Sequence, residues 1–360
     1  MAQEKNQTTR ARLPVGKRVR NFLLCLGAAL LLVLGAYGLF RFAQGTQPYE
    51  LTAFSMGSYV RQTIWGPRRE RAAAEAANAL TGLENLISWR REGDVSRLNQ
   101  QAGQEPVSIS PRTQGLLQEL LELCRKSEGA FDITLGPVTR LWDFDSSPHL
   151  PKEEDLAQAL ALTGWQDVEL EGDRARLARP DMALDLGAAG KGAACDEALT
   201  IYRELGVNGA VIAVGGSIGL YGKKPDGLPF RVSVRDPEGE GSLGVLELEG
   251  GFVSTSGSYE KFFQQDGKTY CHLLDPRTGY PAEGGLVSVT VWHPESGALS
   301  DGLATACFVL GLQDSLALLR EYNAQAIFVD QDGLVTVTEG LADCFSLEKQ
   351  ALLKTAFFGR

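Results

Sequence analysis

Apolar and polar positions divide the chain into three kinds of segment. Residues 22–40, FLLCLGAALLLVLGAYGLF, are apolar throughout and carry no charge. A helix of that length crosses a hydrocarbon layer about 30 Å thick. Helical spacing with good helix formers marks RRERAAAEAANALTGLENLIS and PRTQGLLQELLELCRKSEG. Ser110 stands at the cap of the second, Pro111 just inside it and a glycine after its end. A third helix is expected from near Pro151, and two more over GAACDEALTIYRELG and SDGLATACFVLGLQDSLALLREYN. The third kind is β. LTAFSMGSYVRQTIW reads as one strand, and VEL, ARL, GAVIAVGG, FRVSV, GVLELEGGFVSTS, LVSVTVWH, AIFVDQDG and LVTVT as short strands between glycine-rich turns. VSTSGSYEKFFQQDGKTYC predicts a turn, a strand, an Asp-Gly hairpin and a second strand. Strands and helices mix without strict βαβ alternation, so the expected fold class is α+β, in one domain over residues 51–360.

Charge gives the apolar run an orientation. Lys5, Arg10, Arg12, Lys17, Arg18 and Arg20 precede it against the single acid Glu4. The positive-inside rule then predicts a basic cytoplasmic N-terminus over 1–20, a transmembrane anchor over 21–41, a linker over 42–50 and a domain outside the membrane. The expected localisation is the cell membrane, single-pass, with the domain on the extracytoplasmic side. A cleaved signal peptide is the rival; the run exceeds a usual signal core and no clear small-x-small site follows it. Beyond residue 41 stand 28 basic and 44 acidic side chains, a net charge of −16. A nucleic-acid partner needs a basic face, and this balance excludes one. Of the six cysteines, Cys25 lies in the apolar run. The other five form no CxxC and no zinc spacing, and read mainly as small buried hydrophobes, with one disulfide open in an exported protein.

Four stretches can carry chemistry. In DLGAAGKGAACDEA (185–198) glycines admit close backbone approach and a helix start offers free N–H groups. Only two residues separate Gly187 from Gly190, and Gly192 follows Lys191, so this is no P-loop. AVIAVGGSIGLYG (210–222) is a buried strand running into glycines, without a dinucleotide fingerprint. In LSDGLATACFVLG (299–311), Asp301 and Thr305 are four apart and share a helix face. They could hold a hard cation such as Mg²⁺ or be an ordinary cap and core-edge residue. In CHLLDPRTGYP (271–281), His272 stands at a strand end near Asp275 and Arg277. It reads as a general base or as a structural histidine bonded to backbone.

Taken in order, DLGAAGKG, VGGSIG, TSGSYEKFF…YCHLLDPRTGYP and SDGLATACFVLG closely resemble the ApbE family of FAD:protein FMN transferases. FSMGSYVR, ISWRREGDVSRLN and GAFDITLGPVTRLWDF agree, and the resemblance covers roughly residues 50 to 345. It implies Mg²⁺-dependent transfer of the FMN half of FAD to a Thr or Ser hydroxyl of an exported or membrane protein, with release of AMP. It further implies that Met56, Trp89, Ala130, Phe131, Asp132, Asp185, Lys191 and Leu273 line the site for FAD, the substrate. Asp301, Thr305 and the backbone oxygen of Ala188 would contact the metal, and His272 would be the catalytic base. The implied partners are FAD, a flavin-accepting redox protein and, through the N-terminal helix, a membrane. A pyrophosphatase giving FMN and AMP, a membrane-anchored flavin carrier without transfer chemistry and a structural surface module are the alternatives.

Overall fold

The computed structural model describes residues 15–349 and 351–358. The chain divides into two units, Met1–Gln47 and Pro48–Arg360. The described part of the first is one helix, α1 (Val15–Thr46), which runs on through positions expected as linker up to Thr46. Of the side chains described, those from Phe22 to Leu34 are exposed and almost all apolar. Among the described side chains the apolar stretch of this helix runs from Phe22 to Gly35.

The second unit runs β1 (Tyr49–Ser55), β2 (Ser58–Trp65), α2 (Arg69–Ile87), α3 (Asp94–Gln100), β3 (Val107–Ser108), α4 (Pro111–Lys126), α5 (Gly136–Trp142) and α6 (Glu153–Leu160). There follow β4 (Val168–Glu171), β5 (Arg174–Leu177), α7 (Gly187–Leu205), β6 (Gly209–Val214), β7 (Ser217–Gly222), β8 (Phe230–Arg235), β9 (Ser242–Leu248) and β10 (Gly251–Gly257). It ends with β11 (Phe262–Gln265), β12 (Lys268–Cys271), β13 (Leu286–His293), α8 (Gly297–Glu321), β14 (Gln325–Asp330), β15 (Val335–Thr338), β16 (Phe345–Leu347) and β17 (Leu353–Ala356).

Nine strands form the central sheet, in the order β1-β2-β6-β7-β10-β13-β14-β15-β17. Its pairs are antiparallel except β15 with β17. Because side chains alternate across a strand, each central strand feeds two cores. In β10, Phe252 joins the larger core with α2, α4, α7 and α8, while Val253 joins a second one. In β14, Ala326 and Phe328 face the first and Ile327 and Val329 the second. That second core is closed by a three-stranded sheet, β16-β9-β8, through Phe230, Val232, Val234 and Leu246. The mixed α+β class is therefore as expected, arranged as helices, central sheet and small sheet.

Two segments are read differently in the structure, and several elements are added. LTAFSMGSYVRQTIW is a hairpin rather than one strand. Met56 and Gly57 both take positive φ (56° and 66°) and Ser55 pairs with Ser58, a tight two-residue turn without the usual Asn-Gly signal. GVLELEGGFVSTS breaks at Gly251 (φ 94°) into strands of two different sheets. The short helices α3 and α5 and the strands β3, β7, β16 and β17 are additions to the expected elements. The expected hairpin is present as β11 and β12, with Asp266 and Gly267 at positive φ. Helix α8 is long and apolar enough to cross a membrane, but it is mostly buried in the first core. All six cysteines are free, four of them buried.

Candidate active site

Two helix starts meet beneath the sheet. Gly192, in the first turns of α7, and Gly297, first in α8, let the backbones approach so closely that a Cβ on Gly192 would stand 1.9 Å from the Gly297 oxygen. Asp301 lies one turn into α8 and is 4% exposed. Its Oδ2 accepts the Gly192 amide at 2.9 Å. An α-helix directs that amide at the Ala188 carbonyl four residues back, so Asp301 competes for it. Burial raises the Asp301 pKa, opposed by the charge of Lys191 and the Gly192 amide. Thr305 follows one turn later, its Oγ1 3.1 Å from Ser256 Oγ at the end of β10. Asp196 Oδ1 and Oδ2 accept the Gly297 and Ala298 amides at 2.7 and 2.8 Å, and Ser296 Oγ accepts the Leu299 amide. Those three contacts cap α8 and hold its first turn.

His272 follows β12. Its amide donates to the Lys261 carbonyl at 3.0 Å, and its ring meets Phe144 edge-on at 6.4 Å. Nδ1 is buried with no hydrogen-bond partner. Burial, aided by the positive charges of Lys261 and Lys191, lowers its pKa to about 4. The imidazole is therefore neutral at pH 7 and free to take a proton. The other histidines have structural surroundings. His293 Nδ1 accepts the Glu295 and Ser296 amides ahead of α8, and exposed His149 bonds the Ser147 carbonyl.

These elements surround one cleft of about 1310 Å³. It brings together the residues that the family resemblance implied: Met56, Trp89, Ala130, Phe131, Asp132, Asp185, Ala188, Lys191, His272, Leu273, Asp301 and Thr305. Asp275 and Arg277 lie outside its lining and pair with each other at 2.7 Å. Met56 reaches it from the β1–β2 turn and Trp89 from the end of α2. Asp132 spends its carboxylate on the Thr134 amide and hydroxyl and on the Trp165 amide, so its side chain shapes the wall. Asp185 accepts Thr139 Oγ1 at 2.9 Å and the Gly187 amide at 2.9 Å, fixing the loop that enters α7.

Sequence reasoning missed several lining residues. Arg90 and Arg140 both stack on the Trp89 ring, at 4.3 and 4.9 Å. Asp145 bridges Arg90 at 2.8 Å and Lys261 at 2.6 Å, tying two walls together. Tyr259, Glu260 and Lys261 also line the cleft. They fall inside the SGSYEKFF stretch, which was the available signal.

Asp301, Thr305 and the Ala188 carbonyl form an all-oxygen donor set. Among the described residues no group of three or more His, Cys, Asp and Glu could hold a metal. One carboxylate, one hydroxyl and one carbonyl do not make a protein cage. They fit a hard cation that keeps water and phosphate oxygens as its remaining ligands.

The fold and cleft define an α+β protein with a large polar–apolar ligand site, a neutral imidazole and an oxygen-lined helix junction. The chain belongs to the ApbE family, whose model matches residues 56–328. It is 33% identical over 323 residues to an FAD:protein FMN transferase of Treponema pallidum (strain Nichols), covering 82% of this chain and 88% of that protein. It is 30% identical to one from Vibrio cholerae, covering 86% and 94%. Among solved structures, it resembles the ApbE protein of Thermotoga maritima with a TM-score of 0.77 at 29% identity, over 83% of this chain and 99% of that one. The apo flavinyl transferase ApbE of Pseudomonas stutzeri gives 0.74 at 33%, over 83% and 97%.

Proposed function

We propose that this chain is an FAD:protein FMN transferase that attaches FMN to a Thr or Ser hydroxyl of another protein and releases AMP. The observation that carries the reading is the buried, partnerless Nδ1 of His272 in the same cleft as Asp301 and Thr305. The acceptor oxygen forms a bond to the phosphorus of the FMN half. The P–O bond to the AMP half breaks, the electron pair leaves with AMP, and the hydroxyl proton passes to His272. Such proton transfer is worth about 10²–10⁴ in rate. Met56, Trp89, Phe131 and Leu273 supply apolar and aromatic surface for the dinucleotide. Lys191 and Arg90 supply positive charge for its diphosphate. Asp301, Thr305 and Ala188 O would hold Mg²⁺, which when bound neutralises diphosphate charge and orients the phosphorus.

The uncharged run 22–40 and the basic residues before it support a membrane anchor, with the family domain on the extracytoplasmic side and an exported or membrane redox protein as acceptor.

The test incubates the full chain with FAD, MgCl₂ and an extract of exported proteins. A flavin-fluorescent band that survives a denaturing gel is expected, with AMP released in equal amount. His272→Ala should abolish the band and leave FAD binding intact. Release of free FMN with no labelled protein would identify a pyrophosphatase instead.

A further inference from the structure

Among the described residues, strand β8 pairs with one other strand. Its partner is β9, and it is the outer strand of the β16-β9-β8 sheet. Four consecutive residues of it, Val232, Ser233, Val234 and Arg235, line the cleft. Side chains alternate between the faces of a strand, so four in a row means that the strand's edge, rather than one face, borders the cavity. Val232 and Val234 are 4% and 2% exposed, with their side chains in the second core. Those exposures count main chain and side chain together, so what these two residues give the cleft is a narrow strip of strand edge. An unpaired edge of this kind is a template for another strand.

The edge lines the same cavity as the reacting groups. Val253, Thr255, Ser256 and Tyr259 line it too, together with Thr305 and His272. The cleft's 1310 Å³ also exceeds the roughly 300–1,000 Å³ of ordinary small-molecule sites.

We propose that the acceptor protein enters as an extended segment that pairs with the free edge of β8, its main chain adding a strand and its hydroxyl carried toward His272. This rests on the transferase reading and states how the protein substrate is held. Main-chain pairing gives affinity, and pockets met by alternate side chains give selectivity. Arg235 supplies one such contact. Its guanidinium lies 4.9 Å over the Tyr259 ring and, among the described residues, it makes no ion pair with a carboxylate. An acidic side chain on the incoming segment completes that site.

The probe is a panel of peptides of about twelve residues, each with one central threonine and randomised flanks, given to the full chain with FAD and MgCl₂. Labelled peptides are identified by flavin fluorescence and mass, and the best are resynthesised with single N-methylated amides. The expected result is an alternating pattern. N-methylation at every second amide lowers labelling about tenfold or more, because those amides face β8, and methylation at the amides between them does not. Labelled flanks are enriched in Asp and Glu. Arg235→Glu raises the peptide KM about tenfold and reverses that enrichment, while the FAD Kd stays unchanged. A methylation scan without alternation overturns the proposal. So does a chain that labels exported proteins but no peptide, or an Arg235→Glu variant whose lost activity follows FAD affinity. A chain that labels neither peptide nor protein and only splits FAD brings down the transferase reading itself, and the docking mode with it.

Discussion

The Gly192 amide donates to Asp301 Oδ2 at 2.9 Å, joining the first turns of α7 and α8. The bond is possible because neither Gly192 nor Gly297 carries a Cβ. One on Gly192 would meet the Gly297 carbonyl at 1.9 Å and Asp301 Cβ at 2.8 Å; one on Gly297 would meet the Gly192 oxygen at 2.3 Å. Backbone cannot yield as a flexible side-chain tip can. Gly192→Ala should therefore push the helices apart, cost about 1–3 kcal/mol or more and lose FMN transfer. Urea denaturation beside FAD binding checks this. Wild-type stability in the variant would show that the junction is loose.

Asp301→Asn separates the charge at that junction from its geometry. The amide oxygen of asparagine can still accept from Gly192, so the fold should survive. The anionic ligand proposed for Mg²⁺ is gone, and on that proposal the half-saturating Mg²⁺ concentration for transfer should rise about tenfold or more. FAD binding without Mg²⁺ should change little. An unaltered Mg²⁺ dependence would place the cation elsewhere.

The residues that line the cleft were easier to pick out in the sequence than the strand order was. Asp301 and Thr305 at helical spacing, His272 after an Asp-Gly hairpin and the glycines around Lys191 are local patterns, and each sits where its pattern placed it. Strand order was not legible, because β2 pairs with β6 and β10 with β7 and β13 across long separations. The Met56–Gly57 turn hid because methionine in the left-handed region is rare. The Asp145–Arg90–Lys261 bridge joins three distant segments, which no short window can show.

His272 predicts a pH behaviour with a definite sign. Its folded pKa of about 4 lies below the ordinary 6.5, burial being the main cause and Lys261 the next. Between those values the unfolded chain binds a proton that the folded chain does not. This group therefore makes stability fall as pH drops through the window. In the free protein its ring resonances should titrate near pH 4, and the base should stay active well below pH 6.5. Lys261→Gln removes one of the charges that depress the pKa and should move the titration upward. An NMR titration follows both proteins, and an unmoved midpoint would exclude Lys261 as a cause.

Asp196 should act in the opposite sense. It caps α8 through the Gly297 and Ala298 amides, yet burial, with Glu119 and Glu197 nearby, raises its pKa to about 7. The folded state thus holds a proton that the unfolded chain, titrating near 3.8, has already lost. The resulting stability is complete below that lower value and disappears as pH rises through about 7. Asp196→Asn cannot ionise, so the variant's stability relative to wild type should climb between about pH 4 and 7 and then level off. A tenfold difference in proton affinity between the folded and unfolded chains is worth about 1.4 kcal/mol, which sets a rise on the order of a few kcal/mol. His272, which is not among the groups that shift Asp196, titrates in both proteins and cancels in that difference. Urea midpoints measured at closely spaced pH values give the curve, and a flat difference would mean that Asp196 is ionised in the folded protein throughout.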